Sequence, residues 1–400
     1  MISTDILEGV RVLDLSSVVL GPMTAQYLGD MGADVIKVES EMHLDSLRKG
    51  PPFKDGKPGV NRSGYFADRN SSKRSLTLNM KHPEARQVAL ELVRSCDLVT
   101  NNFTPGVMER FGLGYDNVRA VKPDIIFVSM SMQGQTGPES AYLGYGLTIG
   151  AVTGLQYLSG LPDREPSGTG TNYPDHIPNP CHTAFAIIAA LRHRRRTGEG
   201  QVIDVAQTEP TVAILGSEMC AAWSGGPEQA RRGNRSQGMA PHGVFPVKGD
   251  DRWIAIVAPD NVAWNGFERV LGSFGPGLDT LAGRLAAIDA LEAAIADRTV
   301  TWEGQALMAA LQAEGVTAGI VQTAADIVDT DPQLRHRNHW QRMVQPGIGD
   351  MLYNAPPWRF SVTPSSLRGP APLLGEHTKT IVEEDLGRAS ALTASPDLFR

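Results

Sequence analysis

One carboxylate lies in a segment whose neighbouring residues could hold it rigidly enough to take part in a reaction. Asp175 lies in the proline-punctuated loop 171–180, just before an apolar run over Ala184–Leu191 that predicts a buried helix. A carboxylate held rigidly at the mouth of a helix can act as a nucleophile, which a solvated surface carboxylate rarely does. An aspartate before a helix is also a common capping residue, so the local pattern leaves both roles open.

Other segments that could form a known catalytic or cofactor-binding motif lack the spacing or the residues that the motif requires. Residues 50–57 are similar to a phosphate-binding loop, but an extra residue separates the glycines and Pro58 stands where a hydroxyl would bind magnesium. The turn at 15–22 lacks the glycine fingerprint of a dinucleotide site, although Glu39 ends the next predicted strand where a ribose-binding acid would stand. A G-x-S-x-G sequence is absent, so the nucleophile elbow of a hydrolase is not predicted.

Composition narrows the classes of function. The chain has 400 residues, of which 41% are hydrophobic and 20% charged, enough for two domains or one large domain with an insertion. A net charge of −7 argues against nucleic-acid and anionic-membrane surfaces and favours small molecules or a second copy as partners. Three scattered cysteines predict neither a disulfide framework nor a metal site. No signal peptide or transmembrane run is recognised, so a cytoplasmic location is expected.

The elements that must position Asp175 begin with a parallel sheet. Strand, helix and strand follow one another over Val10–Leu15, Met23–Met31 and Ala33–Glu39, which is a βαβ unit. The pattern continues with predicted strands at Ser75–Asn79, Asp97–Thr100 and Asp124–Met130 and a helix at His82–Arg94.

Beyond a predicted helix at about 205–223 the composition changes. Residues 225–243 are rich in glycine and arginine and connect to what reads as a smaller α+β domain. We expect there a strand at Arg252–Val257, helices at Ala282–Ala296 and Trp302–Glu314, and an end near Gly319–Gln322; a final helix is predicted near Thr378–Leu386.

Short blocks along nearly the whole chain occur in a characteristic order and spacing. They are Leu7–Leu15, Gly21–Pro22, Gly32–Glu39, Asn70–Leu76, Asn102–Arg110, Gly134–Pro138, Arg196–Gln201, Ala371–His377 and Leu386–Gly387. With these blocks the chain resembles the family III CoA-transferases, the group of the formyl-CoA and carnitine CoA-transferases, whose relatives include the α-methylacyl-CoA racemases.

The resemblance implies a fold and an assembly. It implies an α/β protein whose Rossmann-like large domain is formed by both chain ends, residues 1–224 and the return segment 330–400. A smaller α+β domain is inserted between them at 225–329. Two ring-like subunits would be threaded through one another in an interlocked homodimer, which cannot separate without unfolding.

The resemblance also implies an activity. Asp175 would attack an acyl-CoA thioester, and CoA would pass to a carboxylic acid through an aspartyl-acyl anhydride and an aspartyl-CoA thioester. Acyl-CoA and the acid are then the substrates, and no tightly bound cofactor or metal is expected. Tyr145 stands where the racemases carry a histidine base, and a tyrosine is a poor base at neutral pH, which favours the transferase. A racemase and a non-catalytic acyl-CoA-binding protein remain the alternatives.

The residues implied in CoA binding are of mixed type, and each basic one could instead belong to a solvated surface. They are Val19, Leu20, Lys37, Asn70, Lys73, Arg74, Phe103, Arg110 and Tyr145. His176 could tune Asp175 but, as its immediate neighbour, is favoured for a packing role. Arg235 or His242 could meet a substrate carboxylate.

Overall fold

The protein has two compact units, described here from a computed structural model that places residues 5–226, 230–363 and 366–400. The first unit comprises Met1–Gln156, Gly168–Glu228 and Gln333–Arg400; the second comprises Tyr157–Ser167 and Gln229–Pro332. The domain boundaries expected at 224–225 and 329–330 stay a prediction. No helix in the described ranges is both long and apolar enough to cross a membrane.

A parallel sheet organises the first unit. Among the described residues it has six strands, in the order β3-β2-β1-β4-β5-β6. The strands are β1 (Arg11–Asp14), β2 (Asp34–Glu39), β3 (Lys73–Thr77), β4 (Leu98–Asn101), β5 (Ile126–Ser131) and β6 (Val202–Ala206). Helices cover both faces of this sheet, and the carboxyl ends of its parallel strands all meet at one edge.

Helices of the first unit lie between and after these strands. They are α1 (Leu20–Asp30), α2 (Gly64–Arg69), α3 (Ala85–Val93), α4 (Val107–Arg110), α5 (Tyr115–Val121), α6 (Gly146–Val152), α7 (Leu155–Leu158, which crosses the unit boundary after Gln156), α8 (Tyr173–His176), α9 (Pro178–Thr197), α10 (Thr208–Ala213) and α11 (Gly216–Trp223). Short 3-10 turns occupy Ser46–Lys49 and Lys54–Gly56.

The pleat of the sheet separates two hydrophobic cores. Val12, Val35 and Leu98 point to one face, where α1 and α9 pack against them. Leu13 and Ile36 point to the other face, where they pack with residues of α3 and α5. This alternation fixes the strand register, since a slip by one residue would exchange the two faces.

The second unit holds a small antiparallel sheet and helices. Its strands β7 (His242–Pro246), β8 (Trp253–Val257) and β9 (Thr317–Ile320) pair in that order. Its helices are α12 (Asn261–Leu271), α13 (Leu281–Ala286), α14 (Ile288–Thr299), α15 (Gly304–Ala313) and α16 (Ala324–Asp329), and α17 (Pro332–His336) follows at the boundary. Trp264 and Phe267 of α12 are fully buried at its centre.

The last segment of the chain returns to the first unit. A hairpin of β10 (Trp340–Gln345) and β11 (Gly349–Asn354) precedes it, and α18 (Thr378–Thr380), a π-helix at Ile381–Asp385, α19 (Ala391–Ala394) and a 3-10 turn at Pro396–Phe399 follow. The Thr77 N–H donates to Thr378 Oγ1 at 2.9 Å, and Ile381 and Leu398 lie in the core beside β3. The C-terminal segment thus completes the core of the sheet.

Two sequence-based expectations were wrong. The helix predicted at 205–223 begins with an edge strand instead, because residues 202–206 pair in parallel with β5, and it divides at Leu215 into α10 and α11. Pairing with a neighbouring strand overrides local helix propensity here. The apolar run Ala184–Leu191 lies in α9 but is not uniformly buried: Phe185 is 77% exposed. The helix expected near Thr378–Leu386 is present, as one α-turn that continues as a π-helix.

Candidate active site

Asp175 lies in the single-turn helix α8, between two prolines that limit its backbone. Pro174 precedes it within α8, and Pro178 begins α9. The Asp175 N–H donates to the carbonyl of Asn172 at 3.0 Å, which closes the turn. Asp175 does not cap α9, whose N-cap residue is Ile177 without a side-chain cap. Of the two roles that the sequence left open, capping of this helix is therefore excluded.

The carboxylate of Asp175 is buried with one backbone donor. The residue is 4% exposed, and its Oδ2 accepts a hydrogen bond of 2.8 Å from the N–H of Gly146, the first residue of α6. Burial raises the pKa of Asp175 to about 6, and the hydrogen bond from Gly146 opposes that rise. A carboxylate with so little solvation is more basic, and more nucleophilic, than a surface one.

The position of Gly146 beside Asp175 has a steric requirement in addition to the hydrogen bond from its N–H. A Cβ at this position would lie 2.7 Å from Asp175 Oδ2 and 2.6 Å from the Cβ of Asn172. Only glycine leaves room for the carboxylate to approach the backbone this closely. Sequence reasoning missed Gly146; the pair of glycines that flanks Tyr145 was the available signal.

Asp175 opens onto a cavity of about 470 Å³ at the carboxyl edge of the sheet. Four of the residues expected to bind CoA line the same cavity: Val19, Leu20, Phe103 and Tyr145. Ligands of open α/β sheets bind at this edge, outside the carboxyl ends of the strands. The structure therefore brings these five residues together around one space.

A second cavity of about 310 Å³ lies along the ends of β2 and β3. Ser17, His43 and Phe103 line both cavities, so the two form one groove that leads away from Asp175. The far part is lined mainly by apolar side chains, among them Val38, Leu78 and Phe111, with Lys81 as a cation at its edge. An elongated ligand with an apolar or aromatic end fits such a groove.

Two predicted cations are buried below the groove and bonded inside the protein. Lys37 Nζ donates to the Ser16 carbonyl at 2.9 Å and to Asp45 at 2.8 Å. Lys73 Nζ donates to the Pro22 carbonyl at 2.8 Å and to Asn70 Oδ1 at 2.9 Å, which also accounts for Asn70. These bonds hold the turn between β1 and α1, whose backbone lines the first cavity. The three side chains are thus placed behind the groove.

The other two cations expected to bind CoA, Arg74 and Arg110, line neither cavity. Arg74 pairs with Asp34 at 2.6 Å and with Asp385 at 3.0 Å, and Arg110 is exposed at the end of α4. In the second unit Arg235 pairs with Asp289 and Glu292, each at 2.6 Å, and His242 is bonded to the carbonyl of Asn234. Within the described part of the chain, no cluster of three His, Cys, Asp or Glu side chains could hold a metal ion.

The chain belongs to CoA-transferase family III, whose model matches residues 7–378. It is 32% identical over 393 residues to the succinate–glutarate CoA-transferase of Agrobacterium fabrum, which covers 94% of this chain and 95% of that protein. It is 33% identical over 385 residues to the succinyl-CoA:mesaconate CoA-transferase of Haloarcula marismortui, covering 94% and 96%.

A solved structure shows the same fold. The crystal structure of a CaiB/BaiF family protein from Brucella suis superposes with a TM-score of 0.86 at 32% identity, over 96% of this chain and all of that one. Rv3272 from Mycobacterium tuberculosis superposes with a TM-score of 0.78 at 25% identity, over 94% and 98%. The membership expected from the sequence blocks is confirmed.

Proposed function

We propose that the protein transfers coenzyme A from an acyl-CoA to a carboxylic acid, with Asp175 as the nucleophile. The observation that carries this proposal is a buried carboxylate, held by one N–H and raised in pKa, at the wall of a groove long enough for an elongated ligand. The names of the relatives support the same overall reaction.

The chemistry balances with no group besides Asp175 and the substrates. The carboxylate attacks the thioester carbonyl, the C–S bond breaks, and CoA leaves as a thiolate from an aspartyl-acyl anhydride. The thiolate then attacks the aspartyl carbonyl, which frees the donor acid and leaves an aspartyl-CoA thioester. The acceptor carboxylate attacks that thioester, and the thiolate released attacks the acceptor carbonyl of the new anhydride. The products are the new acyl-CoA and free Asp175.

The groove supports one direction of CoA binding. The acyl end would lie at Asp175, between Tyr145 and the backbone of Val19 and Leu20, and the nucleotide end would extend past Phe103 toward Lys81. Roles for Lys37, Asn70, Lys73, Arg74 and Arg110 stay predictions, as do the expectations of no tightly bound cofactor and a cytoplasmic location.

Succinyl-CoA is the donor we propose. Both relatives compared above are named for succinate or succinyl-CoA. The assay is exchange between succinyl-CoA and a panel of carboxylic acids, with the new thioester identified by chromatography. Turnover with acetyl-CoA and none with succinyl-CoA would contradict the proposed donor while leaving CoA transfer intact.

The rate should depend on the charge of Asp175. Its pKa is raised from the ordinary 3.8 to about 6, so below pH 6 the carboxyl is protonated and cannot attack. We expect kcat/KM to be level above pH 7 and to fall about tenfold per pH unit well below 6. Acyl-pantetheine, which lacks the titrating phosphates of CoA, is the control substrate. An acid limb near pH 4 with both substrates would contradict a buried nucleophile.

We also propose the interlocked homodimer. In the single chain, large apolar side chains of the first unit are exposed along α6, α9 and α11; they include Leu147, Val152, Phe185, Ile188, Met219 and Trp223, of which Trp223 is 92% exposed. An exposed apolar surface of this extent is typical of a face that another chain covers.

The dimer can be tested at Phe185. Wild type should have about twice the chain mass of 43.0 kDa by light scattering. Phe185→Glu should remove the soluble folded dimer, because it buries a charge against an apolar partner surface. Val262→Glu, which changes an equally exposed side chain on α12, serves as the control and should leave the mass unchanged. A wild-type protein of monomer mass would contradict the proposal.

A further inference from the structure

The turn between β1 and α1 is held by side chains. From the Ser16 N–H to the Val18 N–H, five consecutive backbone groups are each bonded to a side chain from outside the turn. The Ser16 N–H donates to Asp14 Oδ1 at 3.0 Å, and Lys37 Nζ donates to the Ser16 carbonyl at 2.9 Å. Both of these side chains are fully buried.

Two further side chains hold the middle and the end of this turn. The Ser17 N–H donates to Asn102 Oδ1 at 2.9 Å, and Asn102 Nδ2 donates back to the Ser17 carbonyl at 2.6 Å. The Val18 N–H donates to Asp45 Oδ1 at 3.1 Å. Lys37 lies on β2 and Asn102 directly follows β4, and these are the two strands that flank β1. The turn is therefore fixed from both sides of its strand.

The backbone of Val18 requires such support. Its φ of 71° lies in the left-handed region, which a β-branched residue rarely adopts. A residue in this conformation stays there only where the surrounding structure over-determines it, and such residues are concentrated at active sites and ligand clamps. The side-chain bonds to residues 16–18 supply the constraint at Val18.

The strained turn forms part of the wall of the Asp175 cavity. Ser17, Val18 and Asn102 line this cavity together with Asp175. The cavity lies at the switch point of the sheet, where β1 and β4 are neighbours and the strand order reverses. A ligand group that rests on the turn takes its position relative to Asp175 from it. A displacement of a reacting group by about 1 Å can lower a rate about 10²-fold.

We propose that Asn102 is a positioning residue: its two bonds to Ser17 keep Val18 in the left-handed conformation, so that the turn aligns the acyl-CoA thioester with Asp175. The inference rests on the proposed function of Asp175. Because the bonds to Lys37 and Asp45 remain when Asn102 is replaced, its loss frees the turn only on the side of β4. Sequence reasoning assigned no role to Asn102.

Three variants separate positioning from a direct contact with the substrate. Asn102→Ala releases both polar groups of Ser17, so Val18 can relax. We expect kcat to fall about 30-fold, with KM for the acyl-CoA changed less than about threefold. Val18→Gly alone should stay within about threefold of wild type, because glycine adopts a positive φ without a steric cost.

The double variant decides the question. Val18→Gly cannot restore a contact between side chain 102 and the substrate, so it can rescue Asn102→Ala only through the turn. We expect the double variant to be at least about fivefold faster in kcat than Asn102→Ala. A double variant no faster than Asn102→Ala would overturn the proposal, as would a fully active Asn102→Ala.

Asn354→Ala is the matched control. Asn354 on β11 also donates an amide bond to another element, to Asp68 at 2.8 Å, but lines neither cavity. Its kcat should stay within about twofold of wild type. A loss of activity equal to that of Asn102→Ala would show a general effect of losing such a bond and would overturn the proposal.

Hydrogen exchange of the wild-type protein tests the constraint without any variant. The N–H groups of Ser17 and Val18 should exchange at least about 10²-fold more slowly than in an unfolded chain. Exchange at the unfolded rate would overturn the proposal. If wild type transfers CoA from no donor, the proposed function falls as well; if wild type is active and only the variants or the exchange disagree, the role of Asn102 falls alone.

Discussion

Asp175→Asn is expected to lower kcat for CoA exchange by about 10³-fold or more, with KM for the acyl-CoA little changed. Asparagine has the same shape and can accept the hydrogen bond from Gly146, but its amide oxygen cannot form the anhydride. Asp175→Ala should lose as much activity, which excludes recovery by deamidation as a source of residual rate. Steady-state exchange measured with both variants provides the test, and a variant above a tenth of the wild-type kcat would contradict it.

Thermal unfolding of Asp175→Asn supplies the control for folding. The pKa of Asp175 is higher in the folded protein than in the unfolded chain, so above about pH 6 the folded state must hold an unfavourable charge. Below the unfolded value of 3.8 both states are protonated and the cost disappears. Removing the charge should therefore raise the Tm at pH 8, by an effect of up to ~3 kcal/mol, and progressively less as the pH falls through 6. A lower Tm at pH 8 would contradict a desolvated carboxylate.

Gly146→Ala is expected to have the second largest effect, a fall in kcat of about 10²-fold. The new Cβ would lie 2.7 Å from Asp175 Oδ2 and 3.0 Å from the Cα of Asn172, so the carboxylate or its turn must move. A displacement of a reacting group by even 1 Å can cost this much. The measurement is kcat for exchange together with the pH–rate profile, whose acid limb should shift because the hydrogen bond from Gly146 is lost.

Gly150→Ala is the matched control on the same helix. A Cβ there would meet Gln156 at 3.5 Å, an ordinary contact, and alanine favours a helix over glycine by about 1 kcal/mol. We expect wild-type activity and equal or higher Tm. If both alanine variants lost activity equally, the effect would belong to α6 as a whole and the specific role of Gly146 would be contradicted.

The sequence predicted most of the parallel sheet because its buried strands have local sequence signals. Buried strands such as β1 and β2 are short, mainly apolar runs preceded by Gly9 and Gly32, and α1 lies between them. The edge strand β6 was missed because Val202–Ala206 is short and mostly not buried, and its pairing with β5 is not a local feature of the sequence.

The sequence predicted the site residues whose side-chain type carries the chemistry, but not those that reach the site only through a long-range contact. Asp175 stands out as a carboxylate between prolines, and with four predicted neighbours it lines one cavity. Gly146 reaches it across 29 residues of chain. Contacts of that kind follow from the tertiary fold. Lys37 and Lys73 have the charge to bind phosphates, but their own strands place them in the interior.

Trapping the intermediate tests the central claim most directly. The wild-type enzyme would be incubated with succinyl-CoA and a panel of other acyl-CoAs in the presence of hydroxylamine, then digested and mapped by mass spectrometry. Hydroxylamine converts an aspartyl anhydride or aspartyl thioester into a hydroxamate. We predict a hydroxamate at Asp175 that requires an acyl-CoA and is absent from Asp175→Asn and from enzyme given free CoA. An enzyme that exchanges CoA but carries no hydroxamate at Asp175, or carries it at another carboxylate, would contradict the assignment of the nucleophile.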